Sequence, residues 1–208
     1  MDKQTGKKEL AYFMRRLYRQ GLTTCSGGNI SLRLEDDTLL ITPSALDKGR
    51  IRSDQIGHMT LTGENLTPTL KPSIETDMHR FVYLKRPNIR AIVHAHPPLA
   101  TSFTASHQKI NCNLIAESRA IIGVPVFAPY ALMGTPELAR LVSEAAQHGN
   151  VILMENHGIL TVGETLLRAF DRLEVIEASA KMTLVTTSLL GSKKELNEHQ
   201  QAELDQLF

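Results

Sequence analysis

"NIRAIVHAHPPLATS", residues 88–102, decides how the chain is read. Ala91-Ile92-Val93 is an apolar run that reads as the end of a buried strand, and Pro97-Pro98 stops it. His94 and His96 fall between the two. Residues i and i+2 of a strand point to one face. Both imidazoles therefore project together where the chain leaves the core. That placement suits two ligands of one metal ion, although a lone HxH pair also fits ordinary surface or core histidines.

Working outward, residues 7–20 set Leu10, Phe13, Met14 and Leu17 at helical spacing, ended by Gly21. "CSGGNISLR" turns into a strand in which Ile30 and Leu32 alternate with Ser31 and Arg33; "TLLITPS" (38–44) is a second strand, ended by Pro43. Residues 45–71 read as turns, and a helix is predicted from Ser73, with Pro87 past its end. Residues 89–95 form the strand quoted above, and 97–106 a helix opened by prolines. "GVPVFAPY" (123–130) predicts a strand. "TPELARLVSEAAQ" (135–147) predicts a helix, with Thr135 as N-cap and Pro136 at its first position. "NVILMENHGILTVG" (150–163) reads as strand, break, strand, and 164–190 as a long amphipathic helix. Interleaved helices and strands without linker or repeat predict a single α/β domain over residues 1–208, with its core at about 8–190 and a charged tail at 192–208.

Composition narrows the function. The net charge of +1 comes from 23 basic and 22 acidic residues, scattered along the chain. No basic stripe points to nucleic acid or a membrane surface, and no apolar run approaches a membrane span. Cys25 and Cys112 fit neither a CxxC motif nor a disulfide framework, which suggests a reducing cytoplasm. The N-terminus shows no apolar segment of the signal-peptide kind.

Three further features carry chemistry. His157 follows an apolar strand and precedes a glycine, so it repeats the context of His94 and His96. Three imidazoles with an open fourth position are the ligand set of a catalytic zinc, at Zn–N distances of about 2.0–2.1 Å. Glu75, in "KPSIETDMH", fits either a general base beside a metal or an acid placed against a helix N-terminus. Finally, "TTCSGGNIS", "ITPSA" and "LKPS" offer backbone N–H groups and hydroxyls suited to an anion, although none is a phosphate-loop fingerprint. The other histidines, His79 among them, are given no role.

SGGN, ITPS, KPSxE, VHAHPP and ENHG, in this order over about residues 8–190, resemble the class II aldolase/adducin family, most closely its fuculose-1-phosphate aldolase branch. The resemblance implies a three-layer α/β/α domain around a mostly antiparallel sheet, assembled as a homotetramer with interfacial active sites. It implies one zinc ion per subunit on His94, His96 and His157, and Glu75 as the catalytic acid/base. It places the substrate phosphate against Gly28, Asn29, Ser44, Ala45 and Ser73. The implied reaction is reversible cleavage of a ketose 1-phosphate to dihydroxyacetone phosphate and an aldehyde.

The chain departs from that pattern at several positions. Ile74 replaces a serine, Ala45 replaces a glycine, and the tyrosine lent by a neighbouring subunit is missing near Ile115 and from the tail. Glu117 is the nearest polar residue on that segment. Relatives that decarboxylate 3-oxo-tetronate 4-phosphates need no acid on the aldehyde side and form the alternative reading. Ribulose-phosphate 4-epimerases tend to carry aspartate at the Glu75 position, which favours the aldolase. Adducin-type scaffolds lose the histidines, all of which are present here.

Overall fold

The computed structural model describes residues 2–207. Seven strands form one sheet in the order β3-β2-β1-β4-β7-β6-β5. They are β1 (Asn29–Arg33), β2 (Thr38–Ile41), β3 (Gly57–Thr60), β4 (Ala91–Ala95), β5 (Val126–Ala128), β6 (Val151–Met154) and β7 (Gly158–Gly163). Only β5 and β6 pair in parallel; the other neighbours are antiparallel.

Alternation along the central strands builds two cores. Val93 and Ala95 of β4, Leu153 of β6 and Ile159 of β7 face one side, packed with Phe13, Leu17, Phe170, Leu173 and Ile176. Ile92, Ile152, Leu160 and Val162 face the other, packed with Met78, Val82, Leu138 and Val142. The first set of helical residues comes from α1 (Lys3–Arg19) and α6 (Leu166–Leu184), the second from α2 (Thr76–Lys85) and α5 (Pro136–Ala145). Strands buried on both faces read as continuous apolar runs, and β6 is buried at all four positions. The expected three-layer α/β/α architecture is therefore present.

Caps set the helix ends. The Asp2 side chain accepts the Thr5 N–H and starts α1 four residues earlier than its apolar stripe suggests. Thr135 caps α5 as predicted, accepting the Leu138 N–H. The turn predicted over 45–71 holds a strand, β3, whose residues Gly-His-Met-Thr carry one large apolar side chain and so lack an alternation signal. The helix predicted over 97–106 is α3 (Pro98–Thr104), and an unpredicted one, α4 (Ala116–Ile122), packs on α6 through Ser118, whose hydroxyl meets that of Ser179 at 2.7 Å. The helix predicted from Ser73 begins at Thr76, which leaves Glu75 as its N-cap residue. A short helix, α7 (Glu198–Leu204), lies in the charged tail.

Ala45 stands where the resembling pattern has glycine and keeps a left-handed backbone, φ 58°. That region costs a residue with a Cβ roughly 1–2 kcal/mol, against about 0.5–1 kcal/mol of extra chain entropy lost by glycine. A45G is expected to stabilise the fold by up to about 1 kcal/mol, or roughly 2–4 °C for a domain of this size. A melting curve that does not move, or moves down, would show that the loop is unstrained.

Candidate metal centre

β4 delivers two imidazoles. His94 is its fourth residue and His96 lies just past its end, so both turn to the α2/α5 side with Ile92. The third comes from the turn between β6 and β7, closed by the Met154–Gly158 pair. Asn156 in this turn has φ 51°, a conformation asparagine tolerates. Pairing of Ala95 with Ile159 brings the turn alongside the end of β4. The ring centroids are 4.8 Å apart for His94–His96, 5.0 Å for His94–His157 and 5.7 Å for His96–His157. One ligand nitrogen from each lies within 4.8 Å of the others. Gly158 allows this approach: a Cβ there would sit 2.6 Å from His96 Cδ2 and 2.7 Å from the Ala95 carbonyl oxygen.

Glu75 faces the same point. Ser73 makes the preceding turn, its carbonyl accepting the Thr76 N–H at 3.1 Å and its hydroxyl accepting the Glu75 N–H at 3.3 Å. The carboxylate lies 3.0 Å from His157 Nε2 through Oε1 and 3.3 Å from His94 Nε2 through Oε2. Asn29, directly across the ladder from His94, donates its side-chain N–H to Oε2 at 2.7 Å. Burial pushes the Glu75 carboxyl up, but the neighbouring His94 and His157 rings and the Asn29 N–H outweigh it and hold it well below the usual carboxylate range in the metal-free protein.

The donor set fits a divalent cation. The Ile159 carbonyl can only accept, so His94 Nδ1 at 3.0 Å donates to it. In the neutral ring this leaves Nε2 as a bare lone pair aimed into the cluster, the tautomer a metal requires. His94 Nε2 and Glu75 Oε1 are buried, and in this neutral tautomer the nearest groups to them are only the carboxylate at 3.3 Å and the His157 ring at 3.0 Å, with no well-aligned hydrogen bond. A cation among three imidazoles and a carboxylate satisfies both atoms.

The anion-binding candidates gather beside this cluster. Ser73 Oγ accepts from Asn29 Nδ2 at 3.1 Å as well as from the Glu75 N–H. Ser44 Oγ accepts the Ile74 N–H at 3.2 Å. Both hydroxyls thus keep their own hydrogens free to donate. Gly28 has φ 66°, and a Cβ on it would meet the His94 carbonyl oxygen at 2.7 Å. Ala45 is exposed on the Ser44 loop, and the Lys71 carbonyl accepts the Ser44 N–H at 3.3 Å. Glu117 is exposed on α4 and bonds to none of these residues.

Sequence reading missed two residues here. Lys48 is 1% exposed; its ammonium donates to the Pro43 carbonyl at 2.6 Å and its N–H to the Cys25 carbonyl at 2.8 Å, tying the Ser44 loop to the glycine loop. Burial lowers its pKa to about 8. His79 is fully buried and lies 2.5 Å from Asn29 Oδ1 through Nε2 and 2.6 Å from Ser31 Oγ through Nδ1. Neither residue has a motif signal; only contacts across the fold reveal them.

Three strand-end imidazoles facing a buried carboxylate, with unspent hydroxyl donors beside them, define a centre suited to a metal ion and an anionic small molecule. The family model for the Class II Aldolase and Adducin N-terminal domain matches residues 8–184, and the chain belongs to this family. It is 31% identical over 179 residues, 86% of its own length and 96% of the relative's, to L-fuculose phosphate aldolase of Methanocaldococcus jannaschii. It is 32% identical over 180 residues, 85% of each chain, to 3-oxo-tetronate 4-phosphate decarboxylase of Haemophilus influenzae. A solved L-fuculose 1-phosphate aldolase superposes with a TM-score of 0.88 at 30% identity, covering 97% of this chain and 95% of that one.

Burial, followed by the nearby charge of His94, lowers the pKa of both His79 and His96 to about 3. In the unfolded chain both titrate near ~6.5. Between these values the unfolded state binds more protons, so these two groups make stability rise with pH across the window. His94 works the other way: burial disfavours its charged form, but the Glu75 carboxylate more than offsets this and raises its pKa. The His94 contribution is present below its unfolded value of about 6.5 and is lost only above it, so over most of pH 5–7 the lowered rings set the sign: the metal-free protein is expected to unfold at lower denaturant at pH 5 than at pH 7, and H79Q to flatten the difference. Equal midpoints for the wild-type protein at the two pH values would contradict the neutral, buried state of these rings.

Proposed function

We propose that this chain is a zinc-dependent aldolase that reversibly cleaves a ketose 1-phosphate, of the fuculose-1-phosphate kind, to dihydroxyacetone phosphate and an aldehyde. The observation that carries the reading is the Glu75 carboxylate, 3.0 Å from His157 and 3.3 Å from His94, in a centre whose remaining donors suit a phosphate. His94, His96 and His157 would hold the ion. A bound divalent ion supplies Lewis-acid stabilisation of negative charge on a substrate oxygen.

This chain's own residues do the rest. The Ser44 and Ser73 hydroxyls donate to the phosphate together with the backbone at Gly28 and Ala45, while Asn29, whose two side-chain hydrogens go to Ser73 and Glu75, orients the Ser73 hydroxyl toward it. Anchoring that end fixes the reacting carbons beside Glu75. Glu75, kept ionised by the Asn29 amide, takes the proton from the carbon next to the carbonyl in the condensing direction; in cleavage the proton released by the C4 hydroxyl as the C3–C4 bond breaks passes to Glu75, which delivers it to C3. The cytoplasm is the proposed location, a homotetramer the proposed assembly, and residues 1–208 one domain.

A second reading is favoured by a specific feature. No tyrosine stands near residue 115 or in residues 192–208, where the resembling pattern places the one that serves the aldehyde oxygen, and the chain is 32% identical to a 3-oxo-tetronate 4-phosphate decarboxylase. Loss of carbon dioxide leaves no alkoxide to protonate, so the same metal, phosphate and Glu75 positions serve that reaction without an added acid.

The metal-loaded protein should be incubated with dihydroxyacetone phosphate and a panel of aldehydes, and separately with four-carbon phosphorylated keto acids. Ketose phosphate formation is the expected product; carbon dioxide from the keto acids alone would transfer the assignment to the decarboxylase. H96A is expected to lose stoichiometric zinc by elemental analysis, and retention of one ion per chain would refute the ligand set. E75Q should keep its zinc while turnover falls by roughly 10²–10⁴; an E75Q enzyme as fast as the wild type would remove Glu75 from the proton transfer.

A further inference from the structure

Behind Glu75 runs a chain of hydrogen bonds buried in the α2 side of the sheet. Asn29 is 3% exposed, and Ser31, His79 and Tyr83 are fully buried. Asn29 Nδ2 bonds to Glu75 Oε2 at 2.7 Å, and Asn29 Oδ1 to His79 Nε2 at 2.5 Å. His79 Nδ1 lies 2.6 Å from Ser31 Oγ, which lies 2.8 Å from the Tyr83 hydroxyl.

The chemistry of each group gives this chain one direction. An ionised carboxylate only accepts, so the Asn29 amide must present its NH2 to Glu75 and its oxygen to His79. That oxygen also only accepts, so the proton of a neutral His79 sits on Nε2. Nδ1 is then an acceptor and takes the Ser31 hydroxyl hydrogen. With that hydrogen spent, Ser31 accepts from Tyr83, whose hydroxyl is 2.8 Å away; the Arg90 carbonyl, at 3.4 Å, is the weaker second acceptor of the same hydrogen. Donation thus runs from Tyr83 through Ser31, His79 and Asn29 to Glu75. An amide in the path does not pass a proton on, so the chain orients groups and conducts nothing.

We propose that His79 is a positioning residue: its Nε2–H locks the Asn29 amide with its NH2 toward the carboxylate, and so holds Glu75 in the conformation that faces the histidine cluster. Without that donor the amide is held only by the Ser73 hydroxyl at 3.1 Å, which can donate as readily as accept and so does not fix its direction; once turned, the amide oxygen meets the carboxylate oxygen as two facing acceptors. The catalytic part of this inference rests on Glu75 acting as proposed above; the structural part does not.

The test joins two readouts. In metal-free protein labelled with ¹⁵N-histidine, NMR reads the tautomer of His79, assigned by its absence in H79Q. A neutral Nε2–H ring at pH 7 is expected; an Nδ1–H tautomer or an imidazolium overturns the proposal. With zinc-loaded protein, exchange of the C3 hydrogen of dihydroxyacetone phosphate in D2O reads Glu75 directly. H79L is expected to keep its zinc and its KM for the phosphate while kcat for exchange falls by roughly 10–100-fold, the usual cost of losing a supporting hydrogen bond behind a metal site. H79Q, which still offers an N–H to Asn29, should recover most of that loss. H79L exchanging at the wild-type rate, or H79Q no better than H79L, overturns the role. Where H79L does not fold, the wild-type tautomer and the H79Q rate decide. Where the wild-type enzyme shows no exchange, the proposed function falls, and the side-chain amide resonances of Asn29 judge the positioning alone: displacement in H79L supports it, and identical shifts overturn it.

Discussion

Register on the two sides of β4 is the constraint on which the centre depends. On one side Asn29 pairs with His94; on the other Ala95 pairs with Ile159. A slip of one residue in either ladder turns every side chain to the opposite face. The first slip would move Asn29 away from Glu75, and the second would draw the His157 turn off the end of β4. Apolar burial on both faces makes such slips costly, because Val93 and Ile92 feed different cores. The sheet's hydrophobic pattern thus positions polar groups that contribute nothing to it.

Close backbone approach is the second half of that constraint. Gly28 and Gly158 flank the end of β4, and a Cβ on either would collide with backbone there, at 2.7 Å from the His94 and Ala95 carbonyl oxygens respectively. Packing at such distances leaves no side chain between the glycine loop, the strand end and the β6–β7 turn. The three imidazoles can then come from separate segments and still share one small volume. Their spread over residues 94–157 is typical of sites assembled by a sheet rather than by one helix.

Much of this was legible in the chain itself, and the parts that were not share a cause. The i, i+2 histidines, the strand-end ENHG turn and the helix signals around Thr135 are local patterns, and all three are found where expected. β3 and α4 carry no clear periodic signal because their buried faces mix one apolar residue with a polar one: His58 and Met59 in one, Ser118 and Ile122 in the other. Nothing local marks His79, because its partners lie 48 and 50 residues away, at Ser31 and Asn29. A histidine inside a helix has no local mark that distinguishes a buried bridge from a surface side chain. Glu75 fitted two roles for the same reason. Helix-start acids are common, and only the tertiary approach of His94 and His157 separates a cap from a group aimed into a site.

The buried polar chain has a physical implication for what was retained in this core. Tyr83 belongs to the apolar cluster that holds Val82 and Ile92, Ser31 is paired with Ile92 across the ladder, and His79 is fully buried on the same helix as Val82. Each must be desolvated, and hydrogen bonds recover about as much as desolvation costs, so the network gives little net stability. Apolar side chains of similar volume would hold the α2–sheet contact as well. What they could not do is fix which way an amide points at its far end. Low dielectric strengthens a fully satisfied chain and makes any unpaired member expensive. The arrangement is therefore close to all-or-none, with every donor aligned toward Glu75. A core that needed only stability would have no reason to maintain that alignment; a carboxylate that must face three imidazoles does.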